Sequence, residues 1–309
     1  MYSGVSGMRS YQTKMDVIGN NIANVGTTAF KSSSAQFQDL LSETLSSGQA
    51  PIQDGLGGIN PQQVGLGVSV GKISTSMSNG ALQPTGRDLD FALEGNGFFA
   101  VAESNDVNSA DELRFTRDGS FMRDSLGNIT MGSGFKVMGI SAVNLEGEVP
   151  TFEDSVEIKA ILDQIKEAPG AFAGELKPIV IPDQLEIGGQ VETLISFTID
   201  GSGRVMARYT DGENRLMGQV PVFRFANAAA LEKLGGNTYR QSQNSGDAAF
   251  GISGEQGFGI IRKGYLEMSN VDLANEFTEM IITSRSYQAN SRTITTSDEM
   301  LQELLNLKR

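Results

Sequence analysis

The sequence predicts a discontinuous α+β protein in which N- and C-terminal helices form an inner coiled-coil domain, with an antiparallel, mainly-β domain inserted between them. Three observations predict it. Apolar residues near both ends recur at helical spacing, the middle changes to short alternating runs separated by turn residues, and the charge follows the same division. Of 24 basic and 37 acidic residues, residues 1–46 hold three of each and residues 262–309 hold six and seven, so the stretch between carries 15 and 27 and nearly all of the net −13. Near-neutral ends suit packing against other helices, and an acidic middle suits solvent. A chain of 309 residues also exceeds the usual single-domain length.

At the N-terminal end Met8, Tyr11, Met15, Ile18, Ile22 and Val25 alternate steps of three and four, which places them on one stripe of a helix, the pattern of a coiled-coil seam. Asn20, Asn21 and Asn24 are weak helix formers, so the helix is predicted to end near Val25-Gly26-Thr27-Thr28. Residues 47–80 are rich in Gly, Ser, Gln and Pro and read as an extended connector. Hairpin signals follow. Phe91 to Val101 is interrupted at Glu94-Gly95-Asn96-Gly97, and Arg114 to Met131 carries turns at Asp118-Gly119 and Asp124 to Asn128. Val191 to Phe225 turns at Asp200-Gly201-Ser202-Gly203 and at Asp211-Gly212. Ile158 to Glu167 is a helical candidate inside the β region, ended by Ala168-Pro169-Gly170.

After Asn270 a second helical pattern begins, with Leu273, Phe277, Met280, Ile281, Tyr287, Ile294, Leu301, Leu304 and Leu305 near one face. Asp272, Glu276 and Glu279 at its start and Lys308 and Arg309 at its end suit the helix dipole. The predicted division is 1–75 plus 262–309 for the helical assembly domain with its connector, 76–141 plus 188–261 for the β domain, and 142–187 for a variable insertion.

The residues that are missing narrow the chemistry. With no Cys, His or Trp, the chain has no disulfides, no Ser-His-Asp or Cys-His triad, no Cys/His zinc site and no imidazole catalysis. An acidic balance without a basic cluster argues against nucleic acid. No stretch reaches the roughly 18 apolar residues of a membrane span, so the chain reads as not membrane-inserted. Met1 to Ser10 lacks the basic leader and apolar run of a secretory signal, so Sec export is not expected.

Gly67-Val68-Ser69-Val70-Gly71-Lys72 is too short between its glycines for a phosphate loop, and Ile73 stands where a Mg²⁺-holding hydroxyl belongs. Gly254, Gly257 and Gly259 lack dinucleotide-motif spacing. Asp88 with Asp90, or Asp118 with Asp124, could be drawn as a glycosidase pair. Asp118-Gly119 and Asp124 to Asn128 are instead turn chemistry, in which Asp bonds nearby backbone. Asp200-Gly201-Ser202-Gly203 lacks the ligand spacing and closing Glu of an EF-hand. No catalytic residue, metal ligand or cofactor is nominated, and a ligand-binding or enzymatic β domain stands as the competing reading.

The two amphipathic ends remain. Together they make only a helical hairpin, too few layers to close a core, so one face of each needs further partners, and copies of the same chain would supply them. The candidate assembly interface is Met8, Tyr11, Met15, Ile18, Ile22 and Val25 with Phe277, Met280, Ile281, Tyr287, Ile294, Leu301, Leu304 and Leu305.

Longer stretches carry a resemblance. Ser3-Gly4-Val5-Ser6-Gly7-Met8, Gln12 to Val25 and Thr27-Thr28-Ala29-Phe30-Lys31 closely resemble the N-terminal signature of the bacterial flagellar rod and hook axial protein family. Ser269-Asn270-Val271-Asp272-Leu273, Glu276-Phe277, Met280-Ile281, Gln288 to Arg292 and Thr295 to Leu304 are similar to its C-terminal signature. Leu89 to Phe99 and Phe115-Thr116-Arg117-Asp118-Gly119 look like its inner β domain, while 142–187 is the least recognisable part. Ala29 stands where the family usually has Gly, and Gly26 where Asn is common. Relatives often carry a few residues before the equivalent of Tyr2, so by the resemblance this N-terminus reads as shorter than theirs.

The resemblance implies a subunit exported unfolded through the flagellar type III apparatus and polymerised with itself into a hollow helical tube whose inner wall is lined by the terminal helices. Asp298 to Arg309 looks like the ending of hook proteins more than of distal rod proteins. The implied neighbours are then the distal rod, hook cap and hook–filament junction proteins, and the implied place is the hook and basal body, outside the cell.

A lone helix of about 20 residues is marginal in water. Limited proteolysis of the monomer is therefore predicted to trim about 50–75 residues from the front and about 40 from the back, leaving a stable acidic core. Equal protection of ends and middle in a verified monomer would contradict this reading.

Overall fold

The computed structural model describes residues 2–50, 58, 60–105, 112–141, 176–187 and 190–307. Most of the variable insertion, the helical candidate Ile158 to Glu167, and Lys308 and Arg309 lie outside them. The chain has N- and C-terminal helices with a mainly antiparallel β region between, and it divides into two compact units. One comprises Met1–Val25, Lys31–Ser76 and Val271–Arg309; the other comprises Gly26–Phe30 and Met77–Asn270. Residues 262–270, which the sequence reading placed with the helices, fall in the β unit, because Ile260–Lys263 and Tyr265–Glu267 are strands paired to Phe91–Glu94 and Leu82–Pro84.

In the helical unit α1 runs over Tyr2–Ala23 and α2 over Leu273–Leu307. The end of α1 falls among the predicted asparagines, where the Asn24 amide donates to the Asn20 carbonyl at 2.9 Å and satisfies a terminal acceptor. Asp272 caps α2: its Oδ1 accepts the Ala274 N–H at 2.9 Å, and Glu276 in the first turn adds negative charge at the positive end of the dipole. The helices are antiparallel, since Gly4 and Gly7 face Thr293 and Asn290 while Asn21 reaches Glu276. With 22 and 35 residues they span roughly 33 and 52 Å, so α2 outruns its partner.

The segment read as a plain connector is partly a β ribbon. Strands β1 (Ser33–Asp39), β2 (Ser42–Ser46), β3 (Gln62–Gly65) and β4 (Val68–Thr75) form antiparallel pairs β1–β4 and β2–β3. Val64, Val68, Val70 and Ile73 are the β-branched residues that support this conformation, and the Gly and Ser between them concealed it in composition. The ribbon is anchored to α1 by the edge-to-face pair Tyr11–Phe37, with centroids 5.3 Å apart, and by Asn21. The Asn21 amide donates to Ser33 O at 2.8 Å and its oxygen accepts Ser33 N–H at 3.0 Å, so a poor helix former stands in for a missing strand.

The β unit is built on one long antiparallel path. Its order is 184–187, 190–199, 204–209, 214–219, 136–141, 99–102, 114–116, 238–240 and 232–235, with 121–123 and 129–131 paired beside it. Phe98, Ala100 and Ala102 enter one buried cluster, with Phe115, Phe223, Phe225 and Tyr239, while Phe99 and Val101 enter another, with Phe91, Phe121, Ile129 and Tyr209. Successive side chains of a strand point to opposite faces, so the unbroken apolar run Phe98 to Ala102 reports a strand covered on both sides.

The acidic turns at 124–128, 200–203 and 211–212 close hairpins, whereas the hairpins expected at 94–97 and 118–119 do not form. Residues 91–94 pair 260–263 instead of 99–102, and 114–116 pair 99–102 and 238–240 instead of 121–123, because buried strands take partners from distant segments. Asp200 O accepts Gly203 N–H at 2.9 Å with Gly203 at φ +81°, and Asp124 O accepts Gly127 N–H at 2.9 Å with Gly127 at φ +83°. The Ser125 hydrogen bond, opposed by burial and helped by Leu126 N–H and Asn128, holds the Asp124 carboxyl below the usual carboxylate range.

Three stretches of backbone by which the chain enters or leaves the β unit, 26–30, 77–81 and 267–270, meet at one buried ion pair. Arg117 Nε lies 3.3 Å from Glu267 Oε2, with both side chains almost wholly buried; this is a charge contact and not a directed hydrogen bond. Arg117 also donates to Met77 O at 3.4 Å and to Gly95 O, and its guanidinium lies over the Phe98 ring. Glu267 Oε1 accepts Gly80 N–H at 2.9 Å, and its backbone carbonyl accepts Ala29 N–H at 2.7 Å. Burial lowers the Arg117 pKa, opposed by the Glu267 charge.

Replacing Glu267 with Gln leaves a buried guanidinium without a counter-charge. The β unit is expected to lose about 3–5 kcal/mol in urea unfolding, and the double variant Glu267→Gln with Arg117→Met is expected to recover only part of it, because Met77 O and Gly95 O then lose their donor. A loss below about 1 kcal/mol for the single variant would show that water already reaches the pair.

Candidate assembly interface

Among the covered residues of α2, which also include Ser284, Ser286 and Ser291, the face turned toward α1 is traced by Glu276, Met280, Thr283, Tyr287, Asn290, Ile294 and Ser297. Their spacing alternates four and three residues, a heptad seam. On α1 the residues meeting it include Gly4, Gly7, Lys14 and Asn21. A Cβ on Gly7 would lie 2.9 Å from the Asn290 amide, so the helices approach closely there. Lys14 Nζ pairs with Glu279 Oε2 at 2.6 Å and the Asn21 amide donates to Glu276 Oε1 at 3.0 Å. Burial pushes the Glu276 carboxyl up from its ordinary value; the Asn21 hydrogen bond opposes this and the charges of Glu279 and Asp272 add to it.

The fourteen residues proposed from spacing therefore divide in two. Ile18 is buried, and Met8, Tyr11, Met15, Ile22, Val25, Met280, Tyr287 and Ile294 are half-buried. Phe277, Ile281, Leu301, Leu304 and Leu305 are exposed, at 50, 63, 44, 62 and 70%. Apolar character alone merged two stripes of α2, one against α1 and one facing away. Spacing also missed the polar and small members of the seam, Gly4, Gly7, Asn21, Glu276, Thr283 and Asn290. For Thr283 and Asn290, their regular place between Met280, Tyr287 and Ile294 was the signal that could have found them.

On its other side α1 borders a groove of about 440 Å³. Tyr2, Val5 and Arg9 line it from the helix, and Leu40, Leu66 and Val68 from the ribbon. The unit thus offers three apolar features to solvent: the outer stripe of α2, the projecting α2 end and this groove. None of them depends on a ligand; each is surface that another folded chain could cover.

Comparison with known proteins agrees with the terminal and inner β signatures. Residues 1–31 match the family described as flagella basal body rod protein, residues 92–207 the flagellar hook protein FlgE/F/G D1 domain, and residues 262–307 the flagellar basal body rod FlgEFG protein C-terminal. The flagellar basal-body rod protein FlgG of Bacillus subtilis (strain 168) is 41% identical over 310 residues, covering 100% of this chain and 98% of that one. The flagellar hook protein FlgE of Borreliella burgdorferi is 29% identical over 444 residues, covering 100% and 99%, and FlgG of the same organism is 31% identical over 309 residues, covering 100% and 98%. The helical ends with their inserted β unit thus belong to a structural protein of the bacterial flagellum, a member of the flagellar rod and hook axial protein family.

Proposed function

We propose that this chain polymerises through its terminal helices into a hollow helical tube, and that its place is the hook, where the tube acts as a flexible joint carrying torque from rod to filament. The observation that carries self-assembly is the outer stripe of α2, where Phe277 and Ile281 stand in solvent on a helix whose inner seam is already occupied. Exposed apolar residues in a regular row on a hairpin of two helices call for additional layers. Family membership supports the same reading, as does the ending Asp298 to Arg309, which favours the hook. On this reading the subunit leaves the cell through the flagellar type III apparatus and meets the distal rod, hook cap and hook–filament junction proteins.

A second placement, the distal rod, has its own support in the relative named as a basal-body rod protein at 41% identity. Deleting the gene and immunogold labelling the complemented strain separate the two. Basal bodies that keep their rods but carry no hook, with label along the hook after complementation, are expected. Label confined to the rod would move the chain there, and label on neither would overturn both placements.

Ile22→Asp sets a charge on the half-buried seam side of α1, and Ile281→Asp sets one on the exposed stripe. Both are expected to abolish filaments while the circular-dichroism signal of the β unit persists. Ile281→Asp is further expected to leave monomer unfolding within about 0.5 kcal/mol of the parent, as for other exposed sites. Filaments forming normally with Asp at 281 would remove the outer stripe from the interface.

A further inference from the structure

We infer that the groove between α1 and the β1–β4 ribbon is the seat for the α2 end of a second copy of this chain, an assignment that rests on the self-assembly reading above and names the contact within it. The groove's apolar wall is Val5, Leu40, Leu66 and Val68, with the hydroxyls of Ser6, Ser10, Thr13 and Ser69 at its sides, and Arg9 is the only charged residue among its described lining. The projecting end of α2 has the complementary character. Leu301, Leu304 and Leu305 are exposed there and carry acids among them at Glu299 and Glu303. Leucines of this kind inserted beside Arg9 would bury apolar surface on both partners and set the carboxylates near the guanidinium.

The chain's own α2 end is excluded as the occupant by geometry. Gly4 meets Thr293 and Ile294, so α2 lies against that face of α1. Val5 and Arg9 are displaced from Gly7 by two residues, about 200° around the helix, and so line the opposite face. Leu304 stands eleven residues beyond Thr293 on an unbroken helix, roughly 16 Å past the crossing, with no turn by which it could double back among the described residues. The groove and the helix end are different patches of the same chain, so their contact is heterologous. Heterologous contacts extend from copy to copy without closing unless a ring intervenes, the type of contact a helical tube requires.

The chain has no cysteine, which makes the test direct. Two full-length populations with different affinity tags are prepared, one with Val5→Cys and the other with Leu304→Cys, mixed as monomers, polymerised and oxidised. A disulfide-linked adduct carrying both tags is expected, formed in the polymer and absent from the unassembled mixture. Leu66→Cys in place of Val5→Cys is expected to give the same adduct from the opposite wall. A single chain with Ser34→Cys and Ser74→Cys, cross-strand partners whose hydroxyl oxygens lie 3.2 Å apart, supplies the positive control for oxidation. Filaments of normal yield with the control bond formed and no adduct carrying both tags from either wall would overturn the groove assignment and leave self-assembly standing. Failure of the unsubstituted chain to form any filament would remove the self-assembly reading and the groove with it.

Discussion

Much of the β unit's architecture depends on how it holds three irregular stretches of backbone at one point, and the Arg117–Glu267 ion pair is what does so. Taking a guanidinium and a carboxylate out of water is costly, and an apolar plug of similar volume would often be the more stable choice. An apolar plug could not serve here. Met77 O, Gly95 O and Gly80 N–H would then be backbone groups left without those partners, each carrying its own desolvation cost. The charges are retained because the backbone around them needs donors and acceptors. The same requirement leaves little room nearby: a Cβ on Gly80 would lie 1.9 Å from the Met268 carbonyl.

The helical unit rests on a weaker principle. Its seam places Thr283, Asn290, Glu276 and Asn21 where a stable coiled coil would carry leucine or isoleucine. Close approach at Gly4 and Gly7 gives dispersion contact but buries little area. Polar groups at these positions fix register through directed bonds, as Asn21 does with Glu276 and with Ser33. Register is specified at the expense of stability, and the largest apolar residues of α2 are left on its outer stripe and end.

Periodicity in the sequence located both helices and the hairpins at 124–128, 200–203 and 211–212, because each depends on a local rule of spacing or backbone conformation; at 94–97 and 118–119 it marked a turn but not the strand pairing, which is with distant segments. It placed the α1 stripe one residue round from the α2-facing set, since Met8 and Met15 are apolar while Gly7 and Lys14 are not. Gly and Lys meet the partner helix through closeness and charge, neither of which a hydrophobic pattern records. The ribbon over residues 62–75 was read as connector because its stabilising contacts, Phe37 against Tyr11 and Asn21 against Ser33, join segments distant in sequence. Arg117 lay inside a recognised motif and Glu267 just outside one, and their pairing joins residues 150 positions apart, so no local rule could show it. Ala29 is a smaller case. It adopts φ +54°, a conformation glycine enters freely and alanine does not, which gives a physical reason for the glycine usual at that place in relatives.

The two units therefore differ in where their stability comes from, and the difference follows from residue type. The β unit closes two aromatic clusters within itself, with Phe115 and Phe225 edge to face at 4.8 Å, and its strands join through short turns that its own Asp and Gly residues set. It has no need of a second chain to complete its core. The helical unit has a polar seam, a ribbon whose β2–β3 half is largely exposed, and leucines projecting from α2. A two-stranded ribbon and a two-helix hairpin are each marginal alone. With disulfides excluded by composition, the remaining means of ordering such a unit is contact with further protein surface. On the self-assembly proposal, folding of the β unit and ordering of the helical unit are separable steps, the first set within one chain and the second by the concentration of copies.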